Sequence, residues 1–186
     1  MKTLFIDTHL NDILVFLLED GHTISHKEVI GRKNNSEVLF PTIKEVIEGI
    51  ELNEIIVVNG PGSFTSVRLG VTIAKTLAYT FSIPIKTISS LECFAISASA
   101  SKVAISDGNG CYLGEFDNNY KPLRDFVYVN NSELINIDDI NEYEKNYCLD
   151  AEKVYEFLKD IKPVNAHSVK PLYIKKIGVE IDKKSN

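Results

Sequence analysis

The chain has 186 residues, 44% hydrophobic and 25% charged, a globular composition that excludes collagen-like, low-complexity and disordered classes. At this length about 70% of the unfolded surface is buried, so one domain, or two small packed ones, needs no disulfide or metal staple. Twenty Lys and Arg against 26 Asp and Glu leave a net charge of −6, which disfavours general nucleic-acid binding, whose main sequence-independent term is phosphate neutralisation.

Cys93, Cys111 and Cys148 are odd in number and widely spaced. They point to reduced thiols in a cytoplasmic protein, not to a disulfide framework or a zinc knuckle. The first apolar run is too short for a signal peptide, and none approaches the ~20 residues of a membrane span, so no membrane partner is expected.

In chain order, residues 4–6 read as a buried strand closed by Asp7-Thr8. Residues 12–18 and 23–30 read as a second and third strand, joined through Asp20-Gly21, a hairpin dipeptide. Ser36 is placed to cap a helix over 36–50, where Leu39, Phe40, Ile43, Val46, Ile47 and Ile50 share one arc and Pro41 lies early enough to cost little. Residues 54–58 read as a buried parallel strand. Asn59-Gly60-Pro61-Gly62 is a turn, and Ser63 opens a helix to Phe81. A strand over 83–88 and a helix capped by Ser89 or Ser90 and ending near Ala98 complete a β-β-β-α-β-α-β-α lobe over 1–100.

The pattern restarts at 101–186. Strands are expected at 102–105, 111–116 and 124–129, a short helix or turn at 133–137, and a strand at 147–149. Asp150 is placed to cap a helix to about Ile161, and a Lys-rich tail follows. This is a shortened second α/β lobe.

The segment Gly60-Pro61-Gly62-Ser63-Phe64-Thr65 joins a strand to a helix, where glycines allow close approach and free N–H groups favour anions. It lacks the third glycine of a dinucleotide fingerprint and the Lys of a P-loop, and it is not a nucleophile elbow. Two readings stay open: a turn with a cap at Ser63, or a nucleotide or anion site using Asp7, Gly60, Gly62, Ser63 and Thr65. Asp7 after the first strand either caps its turn or holds a cation near phosphates.

The helix from Ser63 carries two adjoining apolar stripes: Phe64, Val67, Val71, Ala74, Ala78 and Phe81, and Leu69, Ile73 and Leu77. Together they span roughly 220° of its circumference. A helix lying on a sheet needs only about 100° or somewhat more. The surplus is met either by the rest of the chain or by a partner. His22 and His26 lie in a strand without a third ligand, His9 and His167 are isolated, and no Ser–His–Asp set assembles. Lys170, Lys175, Lys176, Lys183 and Lys184 make either a solvated tail or a weak contact with RNA phosphates.

Gly60-Pro61-Gly62-Ser63-Phe64-Thr65-Ser66-Val67-Arg68-Leu69-Gly70 resembles the G-P-G-S-F-T-G-[LV]-R-[IL]-G signature of the bacterial TsaB (YeaZ) family, departing only at Ser66. Leu4-Phe5-Ile6-Asp7-Thr8 resembles that family's first strand. Asn35-Ser36-Glu37-Val38-Leu39-Phe40-Pro41 resembles its H-S-x-x-L-L-P helix start, and Lys170-Pro171-Leu172-Tyr173-Ile174-Lys175-Lys176 its closing P-x-Y-[LI]-R. Asn35 replaces a frequent His, and Ser106 stands in place of an Asp, with Asp107 adjacent. The resemblance covers about the first 100 residues and thins from Ser101 to Val169.

The resemblance implies an α/β chain with the actin-like ATPase, ribonuclease-H-like fold, in two lobes of mixed sheets flanked by helices. It implies a non-catalytic subunit in tRNA N6-threonylcarbamoyladenosine synthesis, a degenerate paralogue of the metal-bearing catalytic subunit TsaD. The expected partners are a TsaD homologue, as a heterodimer, and a TsaE-type ATPase. A tRNA is expected to be reached indirectly, through the complex, and a homodimer of the chain alone is kept as the alternative to the heterodimer. ATP or ADP is expected at the shared interface, with no metal or cofactor held by this chain. The expected partner interface is Leu39, Ile43 and Ile47 on the first helix with Val67, Val71, Ile73, Ala74, Leu77 and Ala78 on the second. The rival readings are a nucleotide-dependent phosphotransferase, a peptidase, and a homodimeric scaffold.

Overall fold

The computed structural model describes residues 1–10, 12–31, 35–131, 141–143 and 148–174. The expected helix or turn at 133–137 and the Lys-rich tail beyond Ile174 lie outside them.

Strands β1 (Lys2–Asp7), β2 (Ile13–Glu19) and β3 (His22–Val29) form an antiparallel meander. Phe5 stands opposite Phe16, and Phe16 opposite His26. The β2–β3 turn is Asp20-Gly21, both at positive φ (49° and 88°), the twist a tight hairpin needs. Strands β4 (Glu54–Val58) and β5 (Ile85–Ile88) add in parallel beside β1, giving the order β3-β2-β1-β4-β5. All five residues of β4 are buried, which is why the segment reads as one apolar run. On β3, at the sheet edge, exposed and half-buried residues alternate.

Helices α1 (Asn35–Val46) and α2 (Phe64–Phe81) cover one face of this sheet. Leu4, Ile6, Ile55 and Val57 pack there with Leu39, Ile43, Val67, Val71, Ala74, Leu77 and Ala78. Helices α3 (Ser90–Ala98) and α4 (Ala151–Leu158) cover the other, where Phe5, Ile56 and Val58 meet Cys93, Ile96, Val154 and Leu158. Helix α1 stops before residue 50, in a turn where Gly49 has a φ of +72°. Asn35 opens it, so Ser36 sits inside its first turn. At α3, Ser89 and Glu92 bond each other's backbone N–H in a capping box. Asp150 caps α4 by accepting from the Lys153 N–H at 3.0 Å, and the helix ends three residues before Ile161.

At the end of the sheet away from the glycine turn, Glu54 and Lys86 form an ion pair of 2.9 Å with side chains only 4% and 5% exposed. The Lys86 ammonium also donates to the Lys159 carbonyl at 3.1 Å.

The second sheet holds β6 (Lys102–Ser106), β7 (Gly110–Glu115), β8 (Val127–Asn130) and β9 (Asn141–Tyr143) in the order β8-β7-β6-β9. Strand β8 starts three residues later than expected. A tight turn intervenes, in which the Asp117 carboxylate accepts from the N–H groups of Asn119 (2.8 Å) and Lys121 (2.9 Å). Strand β9 was not foreseen, three residues being too few for a period, and Cys148-Leu149 are irregular instead of extended in a strand.

The chain divides at residue 100 for its sheets only. Helix α3 gives Leu91, Phe94 and Ala95 to the core of the second sheet, beside Val103, Ile105 and Phe116. Helix α4 and the segment after it return to the first sheet, where Val164 bridges to Ile85.

Candidate functional site

The buried strand β1 delivers Asp7, Thr8 and His9, each 1% exposed, to the carboxyl end of the sheet. Asp7 Oδ1 accepts from the His9 backbone N–H at 3.0 Å and lies 2.7 Å from His9 Nδ1. The His9 carbonyl turns outward and accepts from the Ser63 N–H at 2.7 Å, an otherwise unsatisfied donor at the start of α2. Thr8 Oγ1 donates to the Ser66 carbonyl at 2.8 Å. Leu10, next in the chain, packs against the core of the second sheet.

The glycine turn is thereby packed from several sides. A Cβ on Gly62 would stand 2.1 Å from the His9 carbonyl oxygen, and one on Gly70 would stand 2.3 Å from Thr8 Oγ1. The Gly60 carbonyl accepts from the Ser90 N–H at 2.9 Å, and the Asn59 carbonyl accepts from the Leu172 N–H at 2.7 Å. Ser63 holds the N-cap position without a side-chain cap bond, its hydroxyl lying 3.2 Å from that of Ser66. Thr65 is exposed on the outside of α2. Protein backbone thus fills the concavity that the glycines open. The turn does not fit a phosphate against Gly62, and Asp7 is engaged beneath it. Of the two readings left open above, the geometry favours turn and brace.

The outer surface of α1 and α2 is the second candidate. Seven of the nine residues expected at a partner interface lie inside the chain's own core: Leu39, Ile43, Val67, Val71, Ala74, Leu77 and Ala78, each at most 8% exposed. This corrects the expectation. The small residues of α2 let it settle close on the sheet, so the stripe they mark is the sheet-facing one. Ile47 and Ile73 are only partly buried. Leu69 shares that position, and Phe40 of α1 is 53% exposed. Glu45 pairs with Lys27 of β3, so helical geometry turns the opposite flank of α1, with Phe40 and Ile47, toward α2. The seam between the helices therefore presents Phe40, Ile47, Leu69 and Ile73. The second stripe on the wheel of α2 was the available signal.

The far flank of α2 is closed by residues 164–174, which run along it as a strap. The Lys75 ammonium donates to the carbonyls of Val169 (2.9 Å) and His167 (3.3 Å). Arg68 donates to the Tyr173 hydroxyl at 2.7 Å, with its guanidinium 3.6 Å from the Phe64 ring centre. Tyr79 meets His167 edge-on. His9 and His167 stood isolated in the sequence, and the strap's partners on α2 were not identified there, because they lie about a hundred positions away along the chain.

Among the described residues no three His, Cys, Asp or Glu side chains gather as a metal site, and no helix is long and apolar enough to cross a membrane. A family model described as TsaD, tRNA N6-adenosine threonylcarbamoyltransferase, matches residues 29–125, just over half of the chain. The tRNA threonylcarbamoyladenosine biosynthesis protein TsaB of Bacillus subtilis is 38% identical over 100 residues, covering 51% of this chain and 44% of that protein. The Escherichia coli protein of the same name is 34% identical over 103 residues, covering 53% and 44%. The chain thus spans less than half the length of the curated relatives it matches. YeaZ from Pseudomonas aeruginosa superposes with a TM-score of 0.75 at 16% identity, covering 92% of this chain and 99% of that one. That likeness carries the fold, two mixed sheets flanked by helices, as expected. By the match over residues 29–125, the chain belongs to the TsaD family of tRNA N6-adenosine threonylcarbamoyltransferase proteins, in which its sequence relatives are the TsaB (YeaZ) members.

Proposed function

We propose that this chain is a supporting subunit in the synthesis of tRNA N6-threonylcarbamoyladenosine, docking on a TsaD homologue through the α1–α2 seam and leaving the chemistry to that partner. The observation that carries the reading is the division of labour on α2. One apolar stripe is consumed by the sheet, while Leu69, Ile73 and Ile47 stay only partly buried and Phe40 is 53% exposed. Such a surface favours a partner because covering it removes apolar area from water. Relatives named for this biosynthesis supply the direction.

The glycine turn supports a non-catalytic role. Its concavity is occupied by the His9 carbonyl, and Asp7 is bonded to His9. An adenine nucleotide, and a TsaE-type ATPase with it, belongs in this reading to the surface of the assembled complex.

The test is co-purification with the organism's TsaD homologue, followed by a tRNA threonylcarbamoylation assay with and without this chain. Complex formation with activity that depends on the chain supports the reading. Modification by the chain alone, or by the homologue at an unchanged rate without it, contradicts it. A second copy seated on the same seam is the alternative occupant, and it would appear as a homodimer that the homologue does not dissociate.

A further inference from the structure

A groove of about 620 Å³ lies between α3, α4 and the 117–121 turn, on the side of the first sheet away from the α1–α2 seam. Its size is that of an ordinary small-molecule site, roughly 300–1,000 Å³. We propose that it binds a small planar aromatic anion, a ring bearing one carboxylate or phosphate.

The apolar part is shaped for a ring. Ile96 of α3, 2% exposed, contributes to the lining together with Tyr120 and Phe157, whose rings meet edge-on with centres 6.4 Å apart and planes at 80°. An edge-to-face pair leaves one ring with an uncovered face, against which a third ring packs favourably. Tyr120 is held there at a cost. Its φ is +56°, a left-handed conformation that strains a side-chain-bearing residue. The Asp117 carboxylate enforces it by bonding the N–H groups on either side of Tyr120, those of Asn119 and Lys121.

The polar part selects charge. Lys121 and Lys153 both line the groove. Lys121 forms no ion pair among the described residues, and Lys153 has only a 3.4 Å contact with Asp150 while its side chain stays 53% exposed. Glu156, the acid of the lining, is paired with Lys159. Two lysines thus line the groove with one carboxylate that is paired elsewhere, a balance that favours an anion. Asn118 and Asn119 offer amides to the edge of a ring.

The test is titration of the full chain, followed by amide NMR, with two acids that share this chemistry, AMP and indole-3-carboxylate, and with their uncharged counterparts, adenosine and indole-3-carboxamide. Saturable shifts centred on Ile96, Tyr120 and Phe157 are expected with at least one acid, and which acid binds tells a nucleotide from another aromatic acid. Lys121→Gln with Lys153→Gln raises the Kd of that acid roughly tenfold and leaves its neutral counterpart unchanged. Phe157→Leu, in protein that melts like the wild type, weakens both. The proposal is overturned if neither acid saturates below about 10 mM, if the neutral compounds bind as tightly as the acids, or if the lysine substitutions leave the Kd unmoved.

Discussion

The α-carbon of Gly62 rests against the carbonyl oxygen of His9, so closely that an added Cβ would stand 2.1 Å away. The same carbonyl accepts the Ser63 N–H at 2.7 Å. A turn that looks like a phosphate cradle in sequence is here a lock between the end of β1 and the start of α2. Gly62→Ala should therefore destabilise the fold by about 3 kcal/mol, since backbone must move to admit the methyl group. Gly108→Ala meets nothing within 4 Å and bears only the penalty of its +86° φ, about 1 kcal/mol. Urea denaturation of the two variants checks this, and equal losses would show that the contact is not the cause.

Glu54 and Lys86 are buried together, and each charge depends on the other. Lys86→Met should cost about 3–5 kcal/mol, because it leaves a carboxylate out of water without its partner. Lys86→Met combined with Glu54→Leu should recover most of that loss, as an apolar pair of similar size often does. The denaturation midpoints of the single and double variants measure it. A double variant as weak as the single would mean that packing, not charge, sets the cost.

Burial, and secondarily the charge of Glu54, raises the Tyr155 phenol above its ordinary value of 10.0. A raised pKa means that the folded chain holds the proton more tightly than the unfolded one. The resulting stability is present below the unfolded value and is lost as pH rises through the folded one. Stability should thus fall more steeply between about pH 9 and 11 in the wild type than in Tyr155→Phe. Parallel curves from urea midpoints across that range would rule the effect out.

Lys75 holds the strap at Val169 and His167, while Val169 itself is 4% exposed in the core. Lys75→Met should speed amide exchange across residues 165–174 while changing the melting temperature by no more than about 3 °C. Exchange that accelerates evenly over the whole chain would assign Lys75 to global stability instead.

The first sheet was legible because β1, β2 and β4 are uninterrupted apolar runs and Asp20-Gly21 marks its hairpin. The two apolar stripes of α2 were also visible, but not which of them met the sheet. Periodicity reports that a face is apolar, not what covers it. Ala74 and Ala78, expected at a partner interface, are buried in this chain's own core, and Gly70 beside them packs against Thr8. The Asp7–His9 pair and the strap were out of reach for a different reason. The strap joins residues about a hundred positions apart, and part of each arrangement is made by backbone groups, which every residue type carries. The 117–121 turn between β7 and β8 was also missed, because Asp117 bonds two N–H groups locally, a pattern that strand propensity does not register.

The docking reading is tested most directly by light scattering of this chain mixed with the organism's TsaD homologue, comparing wild type, Ile73→Glu and Leu77→Glu. Ile73 is only partly buried, so Ile73→Glu should fold normally and lose about 2 kcal/mol or more of association. Leu77, 8% exposed, should instead lose several kcal/mol of fold stability when replaced by Glu. A wild-type complex with the homologue that Ile73→Glu dissociates is the predicted result. No complex with the wild type, or one that Ile73→Glu joined by Phe40→Glu leaves intact, would contradict it.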